Sequence, residues 1–270
     1  MKKIVSILLA LAMLIGVSSA MAEGTLRVGM ECNYAPFNWT QAEPSDFTVP
    51  IDGGAGYADG YDVQIAKKIA EGLGMDLVIV KTEWDGLPPA VTSGAIDAII
   101  AGMSPTEERK ATLDFTDPYY TSELVVVVKK DGAFAAATSL ADFTGAAITA
   151  QLNTFHYTVI DQIPGVNKLP AMESFPAMIV ALQSGAIDGY IAERPGAVAD
   201  TTANPDLTFI KFDEGKGFTT SEADVSVAVA LNKGSDLVAP INAILAGIDT
   251  DTRNQMMLDA TARQPLSTAE

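Results

Sequence analysis

Apolar residues fall into two alternating patterns along the chain. Short runs of β-branched and large apolar residues predict strands at Thr25–Met30, 77–80 and 96–101. Between them the spacing turns helical. Val63, Ile65, Ala66, Ile69, Ala70 and Leu73 line one face of a helix that Gly60 opens and that Gly72 and Gly74 close. Leu87–Thr92 predicts a shorter helix. Residues 33–37 read as a loop broken by Pro36, and residues 41–59, rich in Gly, Pro, Asp and Ser, as an exposed insertion. The alternation resumes with strands at 124–128 and 146–150, a helix over 171–182, and strands at 189–192 and 224–231. Helices over 239–246 and 252–262 complete the pattern. Strand and helix alternating in short units predict an open α/β sheet.

One stretch occurs twice. Residues 93–97 read SGAID, and residues 184–188 read SGAID again. A helix led by Pro88 precedes the first copy, and one led by Pro176 precedes the second. A short apolar strand and a polar loop follow each. A repeated helix–turn–strand unit predicts two similarly built lobes. Ligands of open α/β sheets sit beyond the carboxyl ends of the strands, so facing lobes hold a ligand between them.

Composition narrows the chemistry. The 270 residues are 48% hydrophobic, enough for one or two domains with a sizeable core. Asp and Glu number 34 against 17 Lys and Arg, a formal charge of −17, which disfavours nucleic acid or anionic lipid as a partner. One Cys and one His exclude a Cys/His zinc cluster and an internal disulfide framework. The chain has no GxGxxG, Walker or GxSxG sequence. Residues 1–22 read as a secretory signal peptide. Lys2 and Lys3 precede an apolar run over 4–17, and Ala20-Met21-Ala22 predicts cleavage after Ala22. No Cys stands at that point, so no lipid anchor is expected.

Two charged residues stand where the lobes would meet. Ser104 and Glu107 fit a capping box with Pro105 at the first helical position. Arg109 then lies about a turn and a half into that helix, with a planar fork matched to a carboxylate. Glu193 ends the strand after the second SGAID and would face the same cleft with an acceptor for an ammonium group. The plainer reading of each is an ordinary surface charge. Tyr34, Phe37, Trp39 and Trp84 lie in or near loops, able to sandwich a ligand or, for Phe37 and Trp39, to fill core beneath the insertion. His156 has no nucleophile beside it in sequence.

These stretches together resemble the periplasmic polar amino-acid-binding proteins of ABC importers. The resemblance rests on residues 27–37 (RVGMECNYAPF), 60–71 (GYDVQIAKKIAE), 93–109 (SGAIDAIIAGMSPTEER), 113–120 (LDFTDPYY), 149–154 (TAQLNT) and 184–194. It implies a two-lobed α/β fold of type II. Lobe 1 would span 23–125 and 227–270, lobe 2 would span 126–226, and hinge strands would run near 124–129 and 224–230. By the resemblance, Arg109 clamps the ligand α-carboxylate, helped by Ser104, the backbone at Met103 and Thr154. Gly102 and Glu193 take the α-ammonium. Tyr34 and Trp84 flank the side chain, and Glu31 faces its cationic end. Asn153 stands where relatives carry glycine, Ala101 where some carry serine, and the 41–59 insertion is longer than usual.

The implied role is binding without catalysis, cofactor or metal. The partners would be a free amino acid and the membrane subunits of a permease, with no nucleic acid, and the carrier would be a periplasmic monomer. Glu31 and Glu193 favour a basic ligand, Arg or Lys, with a neutral polar one such as Gln as the alternative. A secreted dehydratase of prephenate type on the same fold, with Glu193 as proton donor, is the competing reading.

Overall fold

A computed structural model describes residues 24–265. The expected signal peptide lies outside the described residues. The β-branched runs form two five-stranded sheets of the same order. In the first, Thr25–Met30 lies between the parallel strands Asp76–Lys81 and Ala98–Ile99, and antiparallel Ala230–Asn232 and Leu113–Phe115 extend it. In the second, Ala147–Thr149 lies between parallel Asn167–Lys168 and Gly189–Glu193, and antiparallel Leu124–Lys129 and Leu207–Ile210 extend it.

The SGAID repeat has the same job in both sheets. Gly94 and Gly185 take φ of 75° and 79°, the left-handed conformation that ends the helices Leu87–Thr92 and Phe175–Ser184. The aspartate then ties the turn to the neighbouring parallel strand. Asp97 N–H donates to Arg27 O at 2.8 Å, and Arg27 N–H donates back to Asp97 Oδ2 at 2.8 Å. Asp188 and Ala147 make the same two bonds, each 2.8 Å.

Several expected elements differ. The 124–128 run, expected as a hinge strand, lies within the second sheet between Gly189–Glu193 and Leu207–Ile210. The expected strand over 224–231 is broken. Ser221 and Asp224 form a capping box that starts the helix Glu222–Val225, and two separate short strands follow. Ser226–Val227 pairs with Tyr120–Thr121 in a two-stranded ribbon, and Ala230–Asn232 returns to the first sheet. The chain therefore crosses ahead of Leu124, through this ribbon.

The 41–59 insertion is partly docked rather than wholly exposed. Val49–Pro50 and Tyr57–Asp59 build a four-stranded sheet with Asn38–Gln41 and Asn33–Tyr34, and Ile51 bridges to Ile79. Arg263 from the helix Thr250–Arg263 pins it, pairing with Asp59 at 3.0 Å and stacking over Phe47. The larger core runs under the first sheet and on to Phe175, Met178 and Tyr190 of the other half. A smaller one surrounds Phe143, Ile148 and Ile191. Among the described residues no helix is long and apolar enough to cross a membrane.

Candidate functional site

The matched sheets aim four loops at one place. Glu31 and Tyr34 follow Thr25–Met30 of the first sheet, and Gln151 and Thr154 follow its counterpart, Ala147–Thr149, in the second. Gly102 and Ser104 follow Ala98–Ile99, and Glu193 ends the counterpart strand. From the first half, Tyr34, Trp84, Gly102, Ser104 and Arg109 line a narrow cleft, and Gln151, Thr154, Phe155, His156 and Phe175 face them from the second. The space left between them is about 10 Å³, room for about one water. The two halves are thus drawn together at this gap.

Arg109 is the cleft's cation. It lies in the short helix Glu107–Lys110, which starts two residues later than the capping-box reading places it. Thr106, not Ser104, caps the helix, accepting from Arg109 N–H at 3.4 Å. Ser104 instead supplies its carbonyl to Arg109 Nη1 at 3.0 Å, and its hydroxyl has no partner among the described residues. Arg109 Nη2 donates across the cleft to Asn153 O at 3.0 Å, and the guanidinium sits 5.0 Å above the Trp84 ring. Burial lowers its pKa to about 10, so it stays charged at neutral pH. Thr154 Oγ1 donates to Gln151 O at 2.7 Å, so a carboxylate arriving here competes with that carbonyl for the proton.

Opposite lies a buried polar group without hydrogen-bond partners. His156 Nδ1 and Nε2, Glu193 Oε2 and Tyr34 Oη are all buried and unpaired. Glu193 Oε1 stands 3.8 Å from His156 Nε2, beyond hydrogen-bond reach. Burial, and then Asp62, push Glu193 up to about 8, although Arg109 opposes them. Burial pulls His156 down to about 3, so its ring is neutral. Orphaned buried polar atoms are costly, and an ammonium ion would give the acceptors among them a partner.

Tyr34 is stacked between Phe37 at 5.1 Å and Phe175 at 4.5 Å. Gly102 lies against its ring. At φ 64° it has the left-handed backbone, and a Cβ there would meet Tyr34 Cε1 at 2.9 Å, so a larger residue would push the ring aside. Phe37 and Trp39 fill core, as the plainer reading has it.

Six of the nine expected residues line the gap, and three are set back from its wall. Glu31, Met103 and Glu193 are buried yet do not line it. The Met103 carbonyl accepts from Ala228 N–H at 3.0 Å, which ties the returning chain to this loop. Glu31 accepts from Gln151 Nε2 at 3.1 Å. Gln151, Phe155, His156 and Phe175 were absent from the expected set. The lone histidine and its aromatic neighbour were visible in sequence, but Gln151 and Phe175 carried no signal of their own.

Comparison with known proteins decides the family. Residues 26–259 match the bacterial extracellular solute-binding proteins, family 3. The chain belongs to this family. It is 32% identical over 227 residues to a probable histidine-binding protein of Campylobacter jejuni, covering 83% of this chain and 78% of that one. It is 28% identical over 230 residues to the L-cystine-binding protein TcyJ of Escherichia coli K12, covering 84% and 79%. The substrate-binding protein AbpA of Streptococcus pneumoniae, crystallised with L-arginine, superposes with a TM-score of 0.74 at 27% identity, covering 88% of this chain and 95% of that one. The two-lobed type II architecture expected from the sequence is thereby shown for this family 3 protein. Its relatives are binding proteins, and the family is extracellular.

Proposed function

We propose that this protein captures a free amino acid between its two lobes and hands it to the membrane subunits of an ABC transporter. The lobes are the two sheets with their helices, and the Tyr120–Thr121 and Ser226–Val227 ribbon is the hinge. Arg109 of one lobe takes the ligand carboxylate, with the Ser104 hydroxyl and Thr154 as helpers. Glu193 of the other lobe, freed of its proton, takes the ammonium. The observation that carries this reading is a charged guanidinium on one wall of a narrow cleft and an unpartnered His156 ring on the other, with the buried Glu193 carboxyl 3.8 Å from that ring. Each charge-assisted contact is worth about 1.5–3 kcal/mol. A ligand that makes both contacts only when the lobes meet favours the closed form.

The protein is exported by its signal peptide, cleaved after Ala22, and works in the periplasm as a monomer without a lipid anchor. The ligand is basic, supported by the buried Glu31 and by the excess of negative charge that steers cations in. Relatives named for histidine and arginine binding support the same reading.

Thermal melting with each of the twenty amino acids tests the proposal. A ligand at about a hundred times its Kd adds about 2.7 kcal/mol and raises Tm. Arginine or lysine should raise Tm, and Arg109→Ala should weaken binding more than about tenfold. A screen with no shift, or unchanged affinity in the variant, overturns it.

A further inference from the structure

The hydrogen bonds from Arg109 to the Asn153 carbonyl, from Asn153 to Asp85 and from Gln151 to Glu31 join the lobes around the gap. Another bond crosses elsewhere. Gln264 ends the helix Thr250–Arg263, which packs against the helix Tyr61–Leu73 of the first lobe. Its Nε2 donates at 3.0 Å to the carbonyl of Ala199, in the helix Arg194–Ala203 of the other lobe. Gln264 is buried and does not line the gap. The stacked rings of Tyr34 and Phe175 stand between the two places. They line the gap, and they also line, with Gln264, a separate space of about 350 Å³.

Both ends of this bond are anchored. Arg263, the preceding residue, donates through Nη2 and Nε to the two oxygens of buried Asp59, at 3.0 and 3.3 Å, and stacks over Phe47. That fork ties the helix end to the 41–59 insertion. On the other lobe, Tyr190 Oη donates to Asp200 Oδ2 at 2.6 Å, and Asn204 Nδ2 donates to the Asp200 carbonyl at 2.8 Å. These bonds hold the helix around Ala199 to the strand Gly189–Glu193, and Glu193 directly precedes that helix.

We propose that Gln264 is a positioning residue that latches the closed form from outside the ligand gap. Its bond to Ala199 forms when the lobes meet and breaks when they part, and the insertion braces it through Asp59 and Arg263. The latch touches no ligand. It lowers the differential affinity that a ligand must supply to close the lobes, whichever amino acid that is. This rests on the lobe-closure reading above and adds a determinant of affinity to it. Because the open form lacks the bond, losing it speeds release and leaves capture unchanged.

Stopped-flow kinetics and thermal melting with L-arginine, on the wild type, Gln264→Met, Arg263→Gln and the double variant, test the latch. Met keeps the length of Gln and lacks the donor. Gln264→Met should weaken binding about two- to tenfold, through faster dissociation at an unchanged association rate. It should lower Tm more with saturating arginine than without, because only the closed form loses a bond. Arg263→Gln should weaken binding in the same way, and the double variant should bind no more weakly than Gln264→Met alone. Unchanged affinity in Gln264→Met, or an equal fall in Tm with and without arginine, shows that the bond is made in both forms and overturns the latch. A loss carried by slower association overturns it too. Losses that add in the double variant show that Arg263 acts by another route and overturn the brace. If arginine does not bind the wild type, the same comparison uses the amino acid that raises its Tm most. Failure of all twenty to bind overturns amino-acid capture, and the latch with it.

Discussion

Four buried carboxyl groups keep their protons above the usual carboxylate range, and burial is the first cause in each. Glu193 is raised to about 8, Glu31 and Asp200 to about 7, and Asp62 to about 6. The folded protein thus binds more protons than the unfolded chain between a pH of about 4 and these values. Stability from these groups is full below about pH 4 and falls as pH climbs through the window. His156 has the opposite sign. Its depressed pKa contributes stability above its usual 6.5, lost as pH falls toward about 3. From pH 6.5 to 8 only the carboxyls act. The melting temperature of the ligand-free protein should therefore be lower at pH 8 than at pH 6.5, and Glu193→Gln should reduce the difference. An equal or higher Tm at pH 8 would contradict these assignments. Among single residues, Arg109 and Glu193 were legible because each follows a copy of SGAID. Gln151 and His156 were not placed in the site, because their importance comes from partners brought in from distant parts of the chain.

At the level of elements, the loop after Ala147–Thr149 joins the lobes. Asn153 has φ 55°, the left-handed conformation that glycine takes freely and asparagine tolerates, so it can stand where relatives carry glycine. Its side chain also adds something glycine cannot. Asn153 Nδ2 donates to Asp85 Oδ1 on the other lobe at 2.8 Å, beside the bond from Arg109 to its carbonyl. Asn153→Gly keeps the backbone and removes this bridge, so affinity should fall about two- to tenfold. Asn153→Ala also forces the left-handed backbone on a residue that resists it, so it should bind more weakly still and melt lower. Calorimetry and melting on both variants check this, and equal behaviour would remove any role for the backbone. Long periodic elements were legible: Thr25–Met30 and Leu87–Thr92 have the expected bounds. The ribbon proposed as the hinge was not. Its strands are two residues each, too short for a pattern, and the apolar run over 124–128 lies as an inner strand of the second sheet.

At the scale of the molecule, two sheets of one strand order face each other, and the repeated aspartates that bind Arg27 and Ala147 show how far the likeness extends. That likeness was readable from ten residues. The docking of the 41–59 insertion was not, because it depends on Arg263, over 200 positions away in the chain. The closed cleft is lined by one guanidinium and, across from it, by an imidazole without partners, with a buried, unpartnered acid 3.8 Å from that ring. The account requires one small zwitterion to join them. A crystal structure of the protein grown with an equimolar mixture of the twenty amino acids tests this most directly. Density for one amino acid in the cleft, its carboxylate on Arg109 and its ammonium on Glu193, is the predicted result. An amino acid bound elsewhere, or bound in the cleft with those two ends reversed, would contradict it.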